Sequence, residues 1–207
     1  MFLPNRRRLW IRLLFMVGAV VLFTLGYQWG NRYQRRHAEL PTIGGVLVRP
    51  PGVVPGFRLA DPLGRIFDRH TLAKGWTLIA FGDPARASGQ LAVQRLVDIY
   101  NRVSDRESLH RSLRLVLATD PPTPDPTLAR QLAALSPALY VLGGDSAESQ
   151  RLASALGAAG GGAATLYVFA PGGYLVALLT EDQDGAAAAS DLAALYAHAD
   201  LLLPETP

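Results

Sequence analysis

Three short, almost unbroken apolar runs constrain this 207-residue chain more than any other feature: WTLIAF at 76–81, LRLVLAT at 113–119 and ALYVLGG at 138–144. Each is too short for a helix and is bounded by turn-forming residues, so each reads as a strand buried on both faces. The stretch between the first two is amphipathic from Ser88 to Asp105. Leu91, Val93, Leu96, Val97 and Tyr100 recur there at helical spacing, and Ser88 is placed to cap the helix. Between the second and third runs a rigid DPPTPDP loop leads into the helix LARQLAAL, with Thr127 as its cap. After the third, Asp145 or Ser146 caps AESQRLASALGA. Buried strands that alternate with helices pair in parallel.

The flanking segments carry a different signal. FRLAD and RIFD around PLG predict a small hairpin, and TLYVFA and YLVALL around PGG a larger, wholly apolar one. GAAGGGAA is a flexible connector, lacking the Gly-Lys-Ser/Thr ending of a phosphate loop. DGAAAASDLAALYAHADLLL predicts a terminal helix with Leu192, Leu195, Tyr196 and Leu202 on or near one face. The predicted order, β-β-β-α-β-α-β-α-β-β-α, is an α/β fold. It has a mixed sheet, an antiparallel edge and helices on both faces.

The N-terminus is of another kind. Leu13–Tyr27 carries no charge, and Leu9–Trp29 spans a bilayer core of about 30 Å if Arg12 snorkels toward the headgroups. Trp10 on one side and Tyr27, Trp29 and Tyr33 on the other suit interfacial belts, and no small-x-small cleavage site follows. Residues 1–36 are therefore expected to form a cytoplasmic stub, a single transmembrane anchor and its basic flank. Residues 37–56 read as a Pro/Gly linker running extended from the membrane, and 57–207 as the folded domain. Arg6, Arg7, Arg8 and Arg12 precede the span, whereas Arg32, Arg35 and Arg36 follow it. This bias puts the N-terminus inside. The expected location is the cytoplasmic membrane, with the C-terminal domain in the periplasm.

Charge and sulfur narrow the chemistry. Residues 1–40 hold seven Arg and one Glu, whereas the rest holds thirteen Lys/Arg and sixteen Asp/Glu. The basic balance belongs to the anchor, and nucleic-acid binding is not expected. No cysteine is present, and the two methionines, Met1 and Met16, both lie in the N-terminal segment. Disulfides, thiol redox chemistry, cysteine nucleophiles and thiolate metal sites are excluded.

The order and signatures of the segments resemble the Sco/SenC family, membrane-anchored thioredoxin-fold proteins that assist copper-site assembly in cytochrome c oxidase. The likeness runs over about residues 46–203. It is carried by GVLVRPPGVVPGFRLADPLGRIF, LAKGWTLIAFG, ATDPPTPDPTLARQLAALSPALYVLGGDSAESQRLASALGA and LYVFAPGGYLVALL. It implies a thioredoxin-like mixed sheet flanked by helices, preceded by the transmembrane helix. The departures fall where that family binds copper. The two cysteine positions match Asp83 and Ala87, the loop is about three residues shorter, and the family's histidine matches Gly162. A Cu(I) site of two thiolates and an imidazole cannot be built from these side chains.

The resemblance therefore implies a non-catalytic member without cofactor, acting by protein binding on respiratory oxidase subunits or assembly factors. FGDPARASGQL supplies the candidate binding loop, Asp83, Pro84, Arg86 and Ser88, with Arg86 expected beside Asp83 and backbone N–H groups at a helix start. Two alternatives stand beside it. One is a sulfur-independent enzyme that uses Asp83, Arg86 and Ser88 in the vacated pocket. The other is a general periplasmic interaction module. His37, His70, His110 and His198 show no zinc spacing. Asp68 and His70 would share one face of a strand, and Glu181, Asp182 and Asp184 form a solvated acidic cluster after the large hairpin.

Overall fold

A computed structural model of the chain describes residues 14–27, 40–119, 125–143, 146–158 and 165–204. They fall in two units, one ending at Leu40 and the other running from Pro41. In the first unit, helix α1 (residues 14–27) exposes Leu14, Phe15, Leu22 and Phe23 around its circumference. The span Leu9–Trp29 begins and ends outside the described residues, and among the described residues no helix is long and apolar enough to cross a membrane.

The second unit is built on a six-stranded sheet. Its strands are β1 (Val46–Val53), β4 (Thr77–Phe81), β5 (Arg114–Ala118), β6 (Leu139–Leu142), β7 (Leu166–Ala170) and β8 (Tyr174–Leu179). Their spatial order is β1-β8-β7-β4-β5-β6. The three apolar runs pair in parallel as β4-β5-β6, and the β7-β8 hairpin joins them antiparallel through β4. The small hairpin, β2 (Arg58–Ala60) and β3 (Ile66–Asp68), forms its own two-stranded sheet. Asp61 makes that turn: its buried carboxylate accepts from the amides of Leu63 (3.0 Å) and Arg65 (2.8 Å) and pairs with the Arg65 guanidinium. Arg65 in turn lies 4.3 Å over the Tyr140 ring and donates to the Leu139 carbonyl, fastening the hairpin to β6.

The helices are α2 (Arg69–Ala73), α3 (Ala87–Arg102), α4 (Glu107–Ser112), α5 (Pro126–Leu135), α6 (Ser146–Ala155), α7 (Gly185–Ala197) and α8 (Ala199–Leu202). Two hydrophobic clusters lie on the sheet. One gathers Leu78, Leu96, Ile99, Leu115, Val168, Leu192 and Leu195, drawing on α3 and α7. The other gathers Phe57, Leu59, Phe67, Ile79, Val116, Leu152 and Phe169. The sheet is thus buried on both faces, which is why its central strands read as continuous apolar runs. In the terminal helices Leu192, Leu195 and Leu202 are buried as expected, and Tyr196 tilts against Trp76 with ring centroids 5.9 Å apart.

Several local expectations are corrected. Part of the stretch read as a Pro/Gly linker is β1, an edge strand of the main sheet. Proline cannot donate to a ladder, but this ladder runs through Val46 and Leu47 and then Gly52 and Val53, bulging over Arg49-Pro50-Pro51. Helix α5 is capped by Asp125, which accepts from the Thr127 amide at 3.0 Å, with Pro126 in the first turn, and not by Thr127. The Asp145/Ser146 cap lies outside the residues described in full. Asp68 and His70 do not share a strand face. Asp68 caps α2, accepting from the Thr71 amide at 2.7 Å, and His70 is already helical. That bond, the Thr71 hydroxyl and the His70 charge hold the Asp68 carboxyl below its usual range. Asp184 of the acidic cluster caps α7 through the Ala187 amide at 2.7 Å.

Candidate functional site

The β4–α3 junction sits at the carboxyl end of a central parallel strand, where open α/β sheets place their ligands. Phe81 ends β4 edge-on to Tyr167, with centroids 5.6 Å apart, and burial raises the Tyr167 phenol. The Gly82 amide then donates to the Ala118 carbonyl of β5 at 3.0 Å, keeping the chain on the sheet for one more residue.

From there the loop turns on Asp83. Its Oδ1 accepts from the Ala85 amide at 2.9 Å, and its carbonyl accepts from the Arg86 amide at 2.9 Å. Its Oδ2 lies 3.3 Å from Arg86 Nε. The side chains of this pair are 42% and 80% exposed for Asp83 and Arg86, so the pair is solvent-screened and contributes little to stability. Pro84 is buried, whereas Ala85, Arg86, Ala87 and Ser88 are exposed.

The turn closes against the first turn of α3, and two glycines permit it. Gly82 would carry a Cβ only 3.0 Å from the Gly89 Cα, and a Cβ on Gly89 would fall on the Asp83 carbonyl group. Loop backbone occupies the space that any side chain at 89 would need. The loop is therefore filled by its own main chain.

Asp83, Pro84, Arg86 and Ser88 lie along this loop and the start of α3, and Arg86 pairs with Asp83. Ser88 does not take the capping role: the cap position is Arg86, without a side-chain hydrogen bond, and Ser88 is the second helical residue. Ala87 offers only a methyl group beside this loop. Gly162 lies outside the described residues. Leu91 is 53% exposed and not part of the inward face, which is made by Ala92, Val93, Leu96 and Ile99. A groove of about 340 Å³ opens beside the loop between α3 and α5, lined by Pro84, Gln90, Val93, Gln94, Val97, Leu132 and Leu135. None of these carries a charge, and Leu135 is 62% exposed. Sequence reasoning missed this groove because it needs the α3–α5 spacing.

The donor set of the loop does not suit Cu(I). Asp83 provides one hard oxygen ligand, already engaged by an amide and a guanidinium, and Cu(I) selects soft sulfur and imidazole. Among the described residues no group of three or more His, Cys, Asp or Glu could hold a metal ion. His110 stacks on Tyr100 with ring centroids 4.0 Å apart, and His198 Nδ1 lies 2.8 Å from the Ala194 carbonyl oxygen; His70 is exposed and His37 lies outside the described residues.

No family model matches the chain, and no curated protein matches it. Solved structures do. Yeast Sco1 with copper bound is similar at a TM-score of 0.60 and 20% identity, over 74% of this chain and 96% of that one. Apo Sco1 from Thermus thermophilus is similar at a TM-score of 0.60 and 20% identity, over 77% of this chain and 99% of that one. BsSco, a member of the Sco family of cytochrome c oxidase assembly proteins with a disulfide switch, is similar at 0.53 and 16%, over 72% and 96%. The chain has the thioredoxin-like fold of the Sco proteins, as the sequence resemblance implies. Within that frame the β4–α3 loop is cysteine-free and filled by its own backbone.

Proposed function

We propose that this protein is a membrane-anchored Sco-like accessory factor that acts in cytochrome c oxidase assembly by binding a partner, without copper or thiol chemistry. One observation carries the reading. The Sco-like fold covers about three quarters of the chain, while the positions that the sequence resemblance matches to that family's copper cysteines hold Asp83 and Ala87, in a loop closed by Gly82 and Gly89. A fold kept without its ligands is useful as a surface. Exposed Arg86, with Pro84 and the apolar groove behind it, supplies charge and apolar area side by side.

Mild crosslinking of the full-length protein in its native membranes, followed by identification of what is captured, tests this. Oxidase subunits or copper-insertion factors are expected, and Arg86→Glu is expected to lower their recovery about fivefold, the loss of roughly 1 kcal/mol. Capture of an unrelated envelope complex, or Cu(I) binding by the chain at sub-micromolar affinity, would overturn the reading.

The anchor and its orientation are part of the same proposal, supported by the apolar stretch around α1 and the arginines before it. A C-terminal reporter that works only outside the cytoplasm is expected to be active. Activity of a cytoplasm-only reporter at the same position would place the domain on the other side.

A further inference from the structure

Edge strand β1 is held differently from every other strand of the sheet. None of its residues is fully buried, and Val46 and Val53 are 53% and 58% exposed. It pairs with β8 in two short patches, Val46–Leu178 with Leu47–Ala177 and Gly52–Leu175 with Val53–Tyr174. Between them β1 spends Val48, Arg49, Pro50 and Pro51 on a distance that β8 covers with Val176 alone. The prolines remove two amides from the ladder at that point. Two further fixings lie outside the ladder. The Gly45 amide donates to Asp191 Oδ2 at 2.9 Å, and Arg49 Nη2 donates to the Leu201 carbonyl at 3.2 Å. Beyond β1, Val54 (2% exposed) and Phe57 (7%) are anchored in the core.

The Asp191 fixing is built in detail. Asp191 is 8% exposed, and the same oxygen accepts from Gln183 Nε2 at 2.7 Å. Gln183 Oε1 accepts from the Thr180 amide at 3.2 Å, and Arg95 donates to the carbonyls of Gln183 (3.1 Å) and Thr180. Gly44 and Gly45 let the chain lie on this cluster. A Cβ on Gly44 would stand 2.8 Å from Gln183 Nε2, and one on Gly45 would fall on the Leu178 carbonyl oxygen of β8.

We propose that β1 is a displaceable strap, latched by Asp191, and that the β8 edge beneath it accepts an extended segment of a partner polypeptide by antiparallel strand addition. Strand addition is recognised mainly through the main chain, and the segment best suited carries apolar residues and no proline. Such a segment follows β8 without the bow that Arg49-Pro50-Pro51 imposes on β1. Val54 and Phe57 stay in the core as the hinge while the strap swings away.

The test uses the full-length chain in detergent, with hydrogen exchange read by mass spectrometry. The binding probe is a fluorescent peptide joining Gly44–Leu47 through one valine to Gly52–Val54. In Asp191→Ala, exchange over residues 44–53 and 174–179 is expected to accelerate about tenfold or more, with β4 and β5 unchanged, as local opening requires. The peptide is expected to bind that variant at least about tenfold more tightly than the parent chain, and Asp191→Asn, which keeps an acceptor, is expected to restore parental behaviour. Equal acceleration in β4 and β5 would make Asp191 a general stability residue and overturn the proposal. So would unchanged protection of β8. Dimerisation of the variant without peptide uptake would assign the edge to a second copy and overturn the partner reading. Should Asp191→Ala not fold, Arg49→Ala removes the other, solvent-exposed fixing and is read in the same way, with a smaller local acceleration expected.

Discussion

Gly89→Val is expected to destabilise the domain by about 3 kcal/mol, because its side chain meets backbone that cannot rotate away. A flexible neighbour would yield, but the Asp83 carbonyl is fixed by the Arg86 amide on one side and the Gly82–Ala118 bond on the other. The helix propensity gained by losing a glycine, about 1 kcal/mol at most, acts in the opposite direction and is smaller. Thermal unfolding should show a fall in Tm of roughly 6–12 °C for a domain of this size. Gly56→Ala, where a Cβ would meet nothing within 4 Å, is the control and should leave the midpoint unchanged or slightly raised. A shift of less than about 2 °C for Gly89→Val would mean that the loop is free to move off the helix, contrary to the closed site described above.

Asp61→Ala is expected to cost a similar amount, about 3 kcal/mol, by a different route. The carboxylate is buried, with a side chain 1% exposed, and serves two amides and the Arg65 guanidinium. Removing it leaves two donors of the turn without their acceptor and Arg65 without its counter-charge, while Arg65 stays held by Tyr140 and the Leu139 carbonyl. Asp61→Asn should recover part of the loss, since its amide oxygen still accepts but carries no charge. Urea denaturation of the three chains side by side gives the comparison. An Asp61→Ala midpoint within error of the parent would show that water replaces the carboxylate and that the turn does not depend on it.

The central sheet was legible because burial on both faces writes itself into a sequence as unbroken apolar runs. Leu78-Ile79-Ala80 and Leu115-Val116-Leu117 need no partner to be recognised. The β7–β8 hairpin was legible for the same reason, helped by Pro171-Gly172-Gly173, where both glycines take the left-handed backbone that the turn demands. Edge strand β1 was not legible. Its pairing residues are separated by prolines, and only the tertiary register shows which residues the ladder skips. Helices α2 and α4, of five and six residues, are shorter than two turns and leave no periodicity to detect.

The site divides in the same way. The absence of sulfur and the Asp83–Arg86 pairing follow from local sequence, because the two residues are three apart in a turn. Ser88 was misread as a cap because a serine ahead of an apolar-periodic stretch is a sound signal that here sits two residues too late. The contact of Gly89 with Asp83 and the latch from Gly45 to Asp191, 146 residues apart in sequence, rest on close approach in space. No local pattern encodes it. Nor does local sequence mark Arg95, a charged residue of the amphipathic helix that is buried beneath the β8–α7 turn, where desolvation pulls its guanidinium below the ordinary value.

The two margins of the sheet are finished in unlike ways. At β6 the Ala60–Gly143 bridge and Arg65 close the rim with another part of the same chain. At β1 two adjacent prolines interrupt the outermost row of peptide groups. With β1 in place, edge-to-edge growth of such sheets is disfavoured on both sides, since it needs an unbroken row of donors and acceptors. These finishes work against edge-to-edge zipping of neighbouring copies, a hazard for a sheet in which more than half the strands are almost wholly apolar.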